Sequence, residues 1–315
     1  MDAAVAGAGG GRGDPGGGAA AGAGGLRRPG RRVRRAVSRL VGWLFVLPAL
    51  AVYAVFVLRP LALTAQYSLY RWDGTGPSAW VGWDNYLAVL TDPDLRGTLG
   101  RALVLVAFFT GVPLSLGLLA TAVLRRAPGR SVRAVLLLPQ AVPLVAAGLA
   151  WGLLLSSTGA VNRLLAAVGL GGVARAWLGD SSTALAAVGV IGAWVLLGLC
   201  TTLLLAGADR IDPALYEAAR LDGAGPWWEL RAVTLPGVRR ELAVCATVTT
   251  TAALASFDVV YVTTQGGPGD ATAVPGLEVF RLAFAQREVG LASALAVVLV
   301  VLVLVVVAPL LRWSR

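Results

Sequence analysis

The chain has 315 residues, 57% of them hydrophobic and 14% charged, which excludes an ordinary soluble domain and points to a polytopic membrane protein. All 27 basic residues are arginine, with no lysine and no histidine, so a P-loop for ATP, a histidine-ligated metal site and a Ser-His-Asp triad are excluded. The net charge of +10 is read as arginine held at the cytoplasmic membrane face rather than as a nucleic-acid surface, and no metal or cofactor is expected.

Residues 1–35 are Gly/Ala-rich and then arginine-rich, without apolar periodicity. They cannot bury a core and are expected to form a disordered cytoplasmic tail, with residues 36–315 forming the membrane domain. The apolar run from Leu40 to Leu58 is longer than a signal-peptide core, and five more runs follow it. It is therefore expected to be an uncleaved first span. The spans are placed at about 40–58, 102–124, 134–157, 182–206, 242–264 and 289–311. Each is near the ~20 residues that cross ~30 Å of hydrocarbon. Continuous apolar runs do not fit the alternating pattern of a barrel, so the fold class is all-α transmembrane with six helices.

Arginine placement sets the orientation. The N-terminal tail, the 125–133 loop (Arg125, Arg126, Arg130, Arg133), the 207–241 loop and the tail (Arg312, Arg315) all carry arginine. Between them, 59–101 mixes Arg59, Arg71, Arg96 and Arg101 with Asp73, Asp84, Asp92 and Asp94, and 158–181 has only Arg163 and Arg175. The alternation puts both termini in the cytoplasm of a multi-pass cell-membrane protein. Trp72, Trp80, Trp83 and Tyr86 suit the outer interface. Cys200 and Cys245 fall inside apolar runs and are read as packing residues.

The polar loop 207–241 between the fourth and fifth runs holds two short helices. Asp212 fits an N-cap, Pro213 the first helical position, and Ile211 is placed to staple onto Tyr216. The helix runs to Asp222, and Gly223 stops it. Ala218 and Ala219 give a small, flat surface that another body can approach. Gly225-Pro226 opens a second helix through Trp227, Trp228, Glu229 and Leu230, which Leu235-Pro236 ends. The same segment also suits a helix lying on the lipid headgroups.

The spacing Glu-Ala-Ala, three residues, Gly, nine residues, Val, one residue, Leu-Pro resembles the "EAA" loop of binding-protein-dependent ABC importer permeases. Glu217, Ala218, Ala219, Gly223, Val233, Leu235 and Pro236 occupy its positions. Trp80-Val81-Gly82-Trp83-Asp84-Asn85-Tyr86 resembles the "FVGLDNY" element of carbohydrate-uptake permeases. Phe257-Asp258 through Thr264, then Gly266-Gly267-Pro268 and Thr272, resembles their "FD…T-x-GGP…T" signature, although Gln265 stands where glycine is usual. Leu47-Pro48, Leu138-Pro139 with Pro143, and Gly159 with Asn162 also fit, and the resemblance spans about 40–311.

The resemblance implies a type I ABC importer permease fold and a carbohydrate moved by alternating access. It also implies partners: a second homologous permease forming a heterodimer, two ATPase subunits and an extracellular solute-binding protein. The chain itself would not be an enzyme. Glu217, Ala218, Ala219, Asp222, Gly223, Ala224, Leu235 and Pro236 would form the ATPase-coupling loop. Asp258 is the only ionisable residue well inside an expected span, and it suits either a structural network or the transport path. Gln140, Trp151, Trp194 and Tyr261 join it as path candidates, because rings stack on sugars and amides bond their hydroxyls. Pro139 and Pro143 are expected to break the third span. The alternatives are a polyol phosphate or other small solute as cargo, an ion-coupled secondary transporter, and an intramembrane enzyme. One intraspan acid and no histidine disfavour the last two.

Overall fold

The computed structural model describes residues 45–126, 134–136 and 138–313, so the expected tail 1–35 and residues 40–44 of the first expected span lie outside the described residues. The chain divides into two compact units, Met1–Leu58 and Arg59–Arg315. In the first, residues 45–58 are helical and exposed throughout, with Ala54–Leu58 in π form.

The second unit opens with α1 (Arg59–Tyr67), followed by a hairpin of β1 (Tyr70–Arg71) and β2 (Ala79–Trp80) in which Tyr70 pairs with Trp80. Next come α2 (Asp84–Thr91) and the long α3 (Pro93–Arg125). Then follow α4 (Leu144–Leu154), α5 (Ala160–Ala167) and α6 (Ala184–Ala208). The polar loop holds α7 (Pro213–Leu221) and α8 (Pro226–Glu229). The chain closes with α9 (Arg239–Leu254), α10 (Asp258–Thr263), α11 (Pro275–Phe280) and α12 (Val289–Trp313).

Among the described residues, four helices are long and apolar enough to cross a membrane: Phe45–Tyr67, Pro93–Arg125, Ala184–Ala208 and Val289–Arg312. The first two differ most from the expected bounds. The first continues nine residues past Leu58. The second starts at Pro93, where the Asp92 carboxylate accepts the N–H groups of Asp94 (2.8 Å) and Leu95 (3.3 Å). Its first turns carry Asp94, Arg96 and Arg101, which hide the helix from a hydropathy reading.

The third and fifth expected spans are broken. Around the third, Leu138–Ala141 forms a 3-10 turn and Pro143 is extended (ψ 142°) ahead of α4, as its two prolines require. In the fifth, α9 stops at Leu254 and α10 starts four residues later at Asp258. The second half of each broken span packs on the other, α4 against α10. A Cβ on Gly148 would lie 3.3 Å from Thr263 Cγ2. Such breaks survive in lipid only where protein or water covers the backbone.

The main core joins Leu105 and Phe109 of α3, Val188 and Ile191 of α6, Val259 and Val260 of α10, and Val274 and Leu277. A second cluster holds Cys200, Leu204 and Ala208 of α6 against Val238, Leu242 and Cys245, and both cysteines are free and buried. They pack, as expected of small apolar side chains.

At the hairpin end, Asn85 Nδ2 donates to the carbonyls of Ser68 and Tyr70 (2.9 Å each), and Tyr86 OH lies 2.6 Å from Ser68 Oγ. The 80–86 element is thus a clasp that holds the end of α1 to α2. Asp73 accepts N–H groups from Thr75 (2.9 Å) and Gly76 (2.7 Å). These two backbone donors, Gly76 foremost, hold its carboxyl below the usual range.

Asn162 organises the connection from α4 to α6. Buried to 5% exposure, it donates to the carbonyls of Ser156, Ser157 and Arg175 at 2.8–3.2 Å and accepts from Trp177 Nε1 at 2.8 Å. Asn162→Ala strands these buried partners, at a cost of roughly 2–4 kcal/mol. The expected result is a melting temperature in detergent lowered by several degrees, read by tryptophan fluorescence. An unchanged melting curve would show that this loop holds without it.

Candidate functional site: the folded loop and the broken spans

The loop after α6 is built by local rules. The Asp212 carboxylate accepts the Ala214 N–H (2.9 Å) and Pro213 sits in the first turn of α7. At the other end Gly223 is left-handed (φ +83°). Its N–H donates to Arg220 O (3.0 Å) and that of Ala224 to Ala219 O (2.9 Å), the paired bonds of a Schellman cap. Gly225 then precedes Pro226, which opens α8.

The second helix does not end at Leu235-Pro236 as expected. A π turn, Leu230–Thr234, follows α8, and Leu235–Gly237 is helical again. The wider turn relieves the missing N–H of Pro236, so the chain runs on to α9. Ile211 packs into the cluster of Cys200, Leu204 and Val238, and Tyr216 turns towards α3.

Tyr216 is 6% exposed and is the only residue of α7 that is buried. Its hydroxyl lies 3.0 Å from Thr234 Oγ1 and accepts from Arg125 Nη1 at 3.0 Å. The Arg125 guanidinium carbon sits 4.1 Å from the ring centroid, and Nη1 also donates to Ala208 O. Glu229 is buried and its Oε1 lies 2.9 Å from Arg220 Nε, which holds the Arg220 guanidinium above its ordinary range. Glu217, Tyr216, Arg220 and Glu229 line a cavity of ≈ 140 Å³.

The exposed face of α7 differs from the expected pair of alanines. Ala218 is exposed but Ala219 is half-buried. Leu215 and Leu221 flank Ala218 at a three-residue spacing, and Leu221 is 89% exposed. Asp222 caps the helix and is exposed, Ala224 is half-buried, and Leu235 and Pro236 are exposed. Leu215 and Leu221 went unmarked in the sequence, although bare leucines three residues either side of Ala218 were the available signal.

The path candidates fall into two groups. Trp151 of α4 and Trp194 of α6 meet edge to face at 5.7 Å. Gln140, in the 3-10 turn, packs near Gly198 of α6, where an added Cβ would lie 2.9 Å from Gln140 Cβ. Asp258 and Tyr261 are both exposed on α10, with Asp258 in its first turn directly after the break. Phe257 stacks on Tyr261 (5.0 Å, 22°), and Phe280 and Phe284 extend the series of rings. Sequence reading noted Phe257 only as part of a motif and missed Phe280 and Phe284.

The loop after α10 is closed by Thr264 and Thr272, whose hydroxyls are 2.6 Å apart. Arg281 donates to Asp270 (2.7 Å) and to Gln265 O (2.7 Å), and Arg101 Nε donates to Ala273 O (2.6 Å). Gln265 has φ +50°, a conformation that explains why glycine suits this position.

A mostly helical membrane chain with apolar spans, two of them broken at mid-course, and a capped polar loop between the fourth and fifth defines a transmembrane permease. The chain belongs to the binding-protein-dependent transport system inner membrane components, whose family pattern matches residues 111–312. It is 36% identical over 272 residues to the trehalose/maltose transport system permease protein MalF of Thermococcus litoralis, covering 84% of this chain and 90% of that protein. It is 31% identical over 308 residues to the diacetylchitobiose uptake system permease protein NgcF of Streptomyces coelicolor, covering 91% and 87%. A chain of the bacterial ABC transporter involved in import of the acidic polysaccharide alginate superposes with a TM-score of 0.75 at 23% identity, covering 90% of this chain and 99% of that one. At that identity the likeness establishes the fold, the importer permease fold expected from the sequence.

Proposed function

We propose that this chain is one transmembrane subunit of an ATP-driven ABC importer that carries a carbohydrate into the cell by alternating access. The observation that carries the reading is the folded loop 212–237, capped at both ends of α7, with Leu215, Ala218 and Leu221 exposed on one face. A loop that only joins two spans needs no such construction; a surface that fits into a partner's groove does. The chain has no lysine for a P-loop, so ATP hydrolysis belongs to separate subunits. Two of these, a second and different permease, and an extracellular binding protein complete the assembly. Both termini, the 125–133 loop and 212–237 are cytoplasmic, in keeping with the arginine distribution. ATPase closure shifts the loop, and the helices rock between inward-open and outward-open states.

Carbohydrate as cargo is supported by the relatives named for trehalose and maltose and for diacetylchitobiose uptake. Gln140, Trp151, Trp194, Asp258 and Tyr261 are the residues assigned to the path. Rings stack on the C–H faces of a sugar, and the Asp258 carboxylate accepts its hydroxyl hydrogens. The test is uptake of labelled sugars, polyol phosphates and amino acids in a strain lacking this chain. The expected loss is confined to a sugar or a small family of sugars. Loss of amino-acid uptake with all sugar uptake intact would reject the cargo class, and loss confined to a polyol phosphate would replace it.

A further inference from the structure

We propose that Arg125 is a positioning residue through which movement of the 212–237 loop reaches the membrane helices. The proposal rests on the reading of that loop as the ATPase-docking surface. Arg125 ends α3 and touches two other elements at once: Ala208 O, the last residue of α6, and Tyr216 of α7 by both hydroxyl and ring face. Tyr216 passes the connection to Thr234, itself 3% exposed, in the π turn behind α8. One guanidinium thus joins α3, α6 and α7, with a fourth segment one hydrogen bond away.

Three features suit it to transmission. First, Tyr216 is the only buried residue of α7, so a push on the exposed Leu215–Ala218–Leu221 face enters the bundle through that ring. Second, Ala208 O lies at the negative end of a 25-residue helix, where a cation binds well, and takes the guanidinium as a donor beside the Ile211 N–H (3.2 Å). Third, α3 and α6 are closely packed just beyond: a Cβ on Gly117 would lie 3.2 Å from Thr201 N. Helices so joined move together. Both hydrogen bonds leave Nη1 while the guanidinium carbon lies over the ring; a lysine ammonium ends at the place of that carbon, one bond short of Nη1, and loses this double reach.

The test uses the full chain co-expressed with its partner permease, ATPase and binding protein, and reconstituted in liposomes. Arg125→Lys keeps the charge but ends one bond short of Nη1. Tyr216→Phe keeps the ring and loses the hydroxyl. Three quantities are read: ATPase retained on purification, ATP hydrolysed, and sugar moved per ATP. The expected result is ATPase retained within twofold of wild type, hydrolysis that persists, and sugar moved per ATP reduced at least tenfold in Arg125→Lys and severalfold in Tyr216→Phe. If Arg125→Lys fails to insert, the near-isosteric Tyr216→Phe carries the test. Unchanged sugar per ATP would overturn the proposal. Loss of the ATPase from both variants would also overturn it, since the contact would then only build the docking surface. A wild-type chain that never retains the ATPase would reject the docking-loop reading first, and is distinguishable from either.

Discussion

Replacing Gly223 by valine is expected to cut uptake by about tenfold while leaving the membrane level of the protein near normal, because a Cβ in left-handed backbone costs roughly 1–2 kcal/mol and more when branched. Gly223 holds φ +83°, and no atom lies within 4 Å of the position its Cβ would take. The penalty is therefore conformational and not a clash. It falls on the two hydrogen bonds that end α7, those of Gly223 and Ala224 to Arg220 and Ala219. Relaxing φ breaks them and re-aims Leu221 and Asp222 relative to α8. The membrane helices are untouched, so insertion proceeds. Membrane abundance, ATPase co-purification and uptake are measured together, and the last two are expected to fall in step. Full uptake with normal ATPase retention would mean that 212–237 only lies on the headgroups.

Gly290→Val is expected to do the reverse: to remove most of the protein from the membrane before function can be asked. An added Cβ at Gly290 would lie 1.9 Å from Tyr70 O and 3.3 Å from Trp72 N. Both are backbone atoms, so no side chain can swing aside. The Gly290 N–H also donates to Trp72 O (3.2 Å), which ties the start of α12 to the strand after α1. Separating them pulls against the Asn85 bonds to Ser68 and Tyr70 that close the same end. Overpacking against fixed atoms costs about 1–3 kcal/mol or more before those bonds are lost. Immunoblots of membranes and size-exclusion profiles in detergent read the result. A monodisperse protein at normal abundance would show that α12 can move away from Tyr70 freely.

What was legible in the sequence was local or periodic. Apolar runs of near-spanning length gave the all-helical class, and Asp212-Pro213 with Gly223 gave α7 almost to the residue, because capping is decided within a few positions. The break at Pro143 was visible for the same reason. The break between Leu254 and Asp258 carries no proline; it was hidden in a run of small and hydroxylated residues that reads as continuous helix. Arg125 shows the limit most clearly. By sequence it is one of four arginines in a short loop, counted for its charge alone. Its partner Tyr216 lies 91 residues further on, and only the packing of α3 against α6 brings them together. Asn85 and Asn162 were noted as parts of motifs, but their work as organisers of backbone carbonyls is a property of the folded chain.

The central claim is that α7 faces the cytoplasm and touches the ATPase. Cysteine placed at Ala218, and separately at Ala271, in a chain with Cys200 and Cys245 removed tests it directly. Intact cells are treated with a membrane-impermeant thiol reagent, and inverted vesicles with a short bifunctional cross-linker. Position 271 is expected to label from outside, and position 218 to resist the reagent in cells and cross-link to the ATPase subunit in vesicles. Labelling of 218 in intact cells, or an ATPase cross-link formed from 271 and absent from 218, would contradict the account.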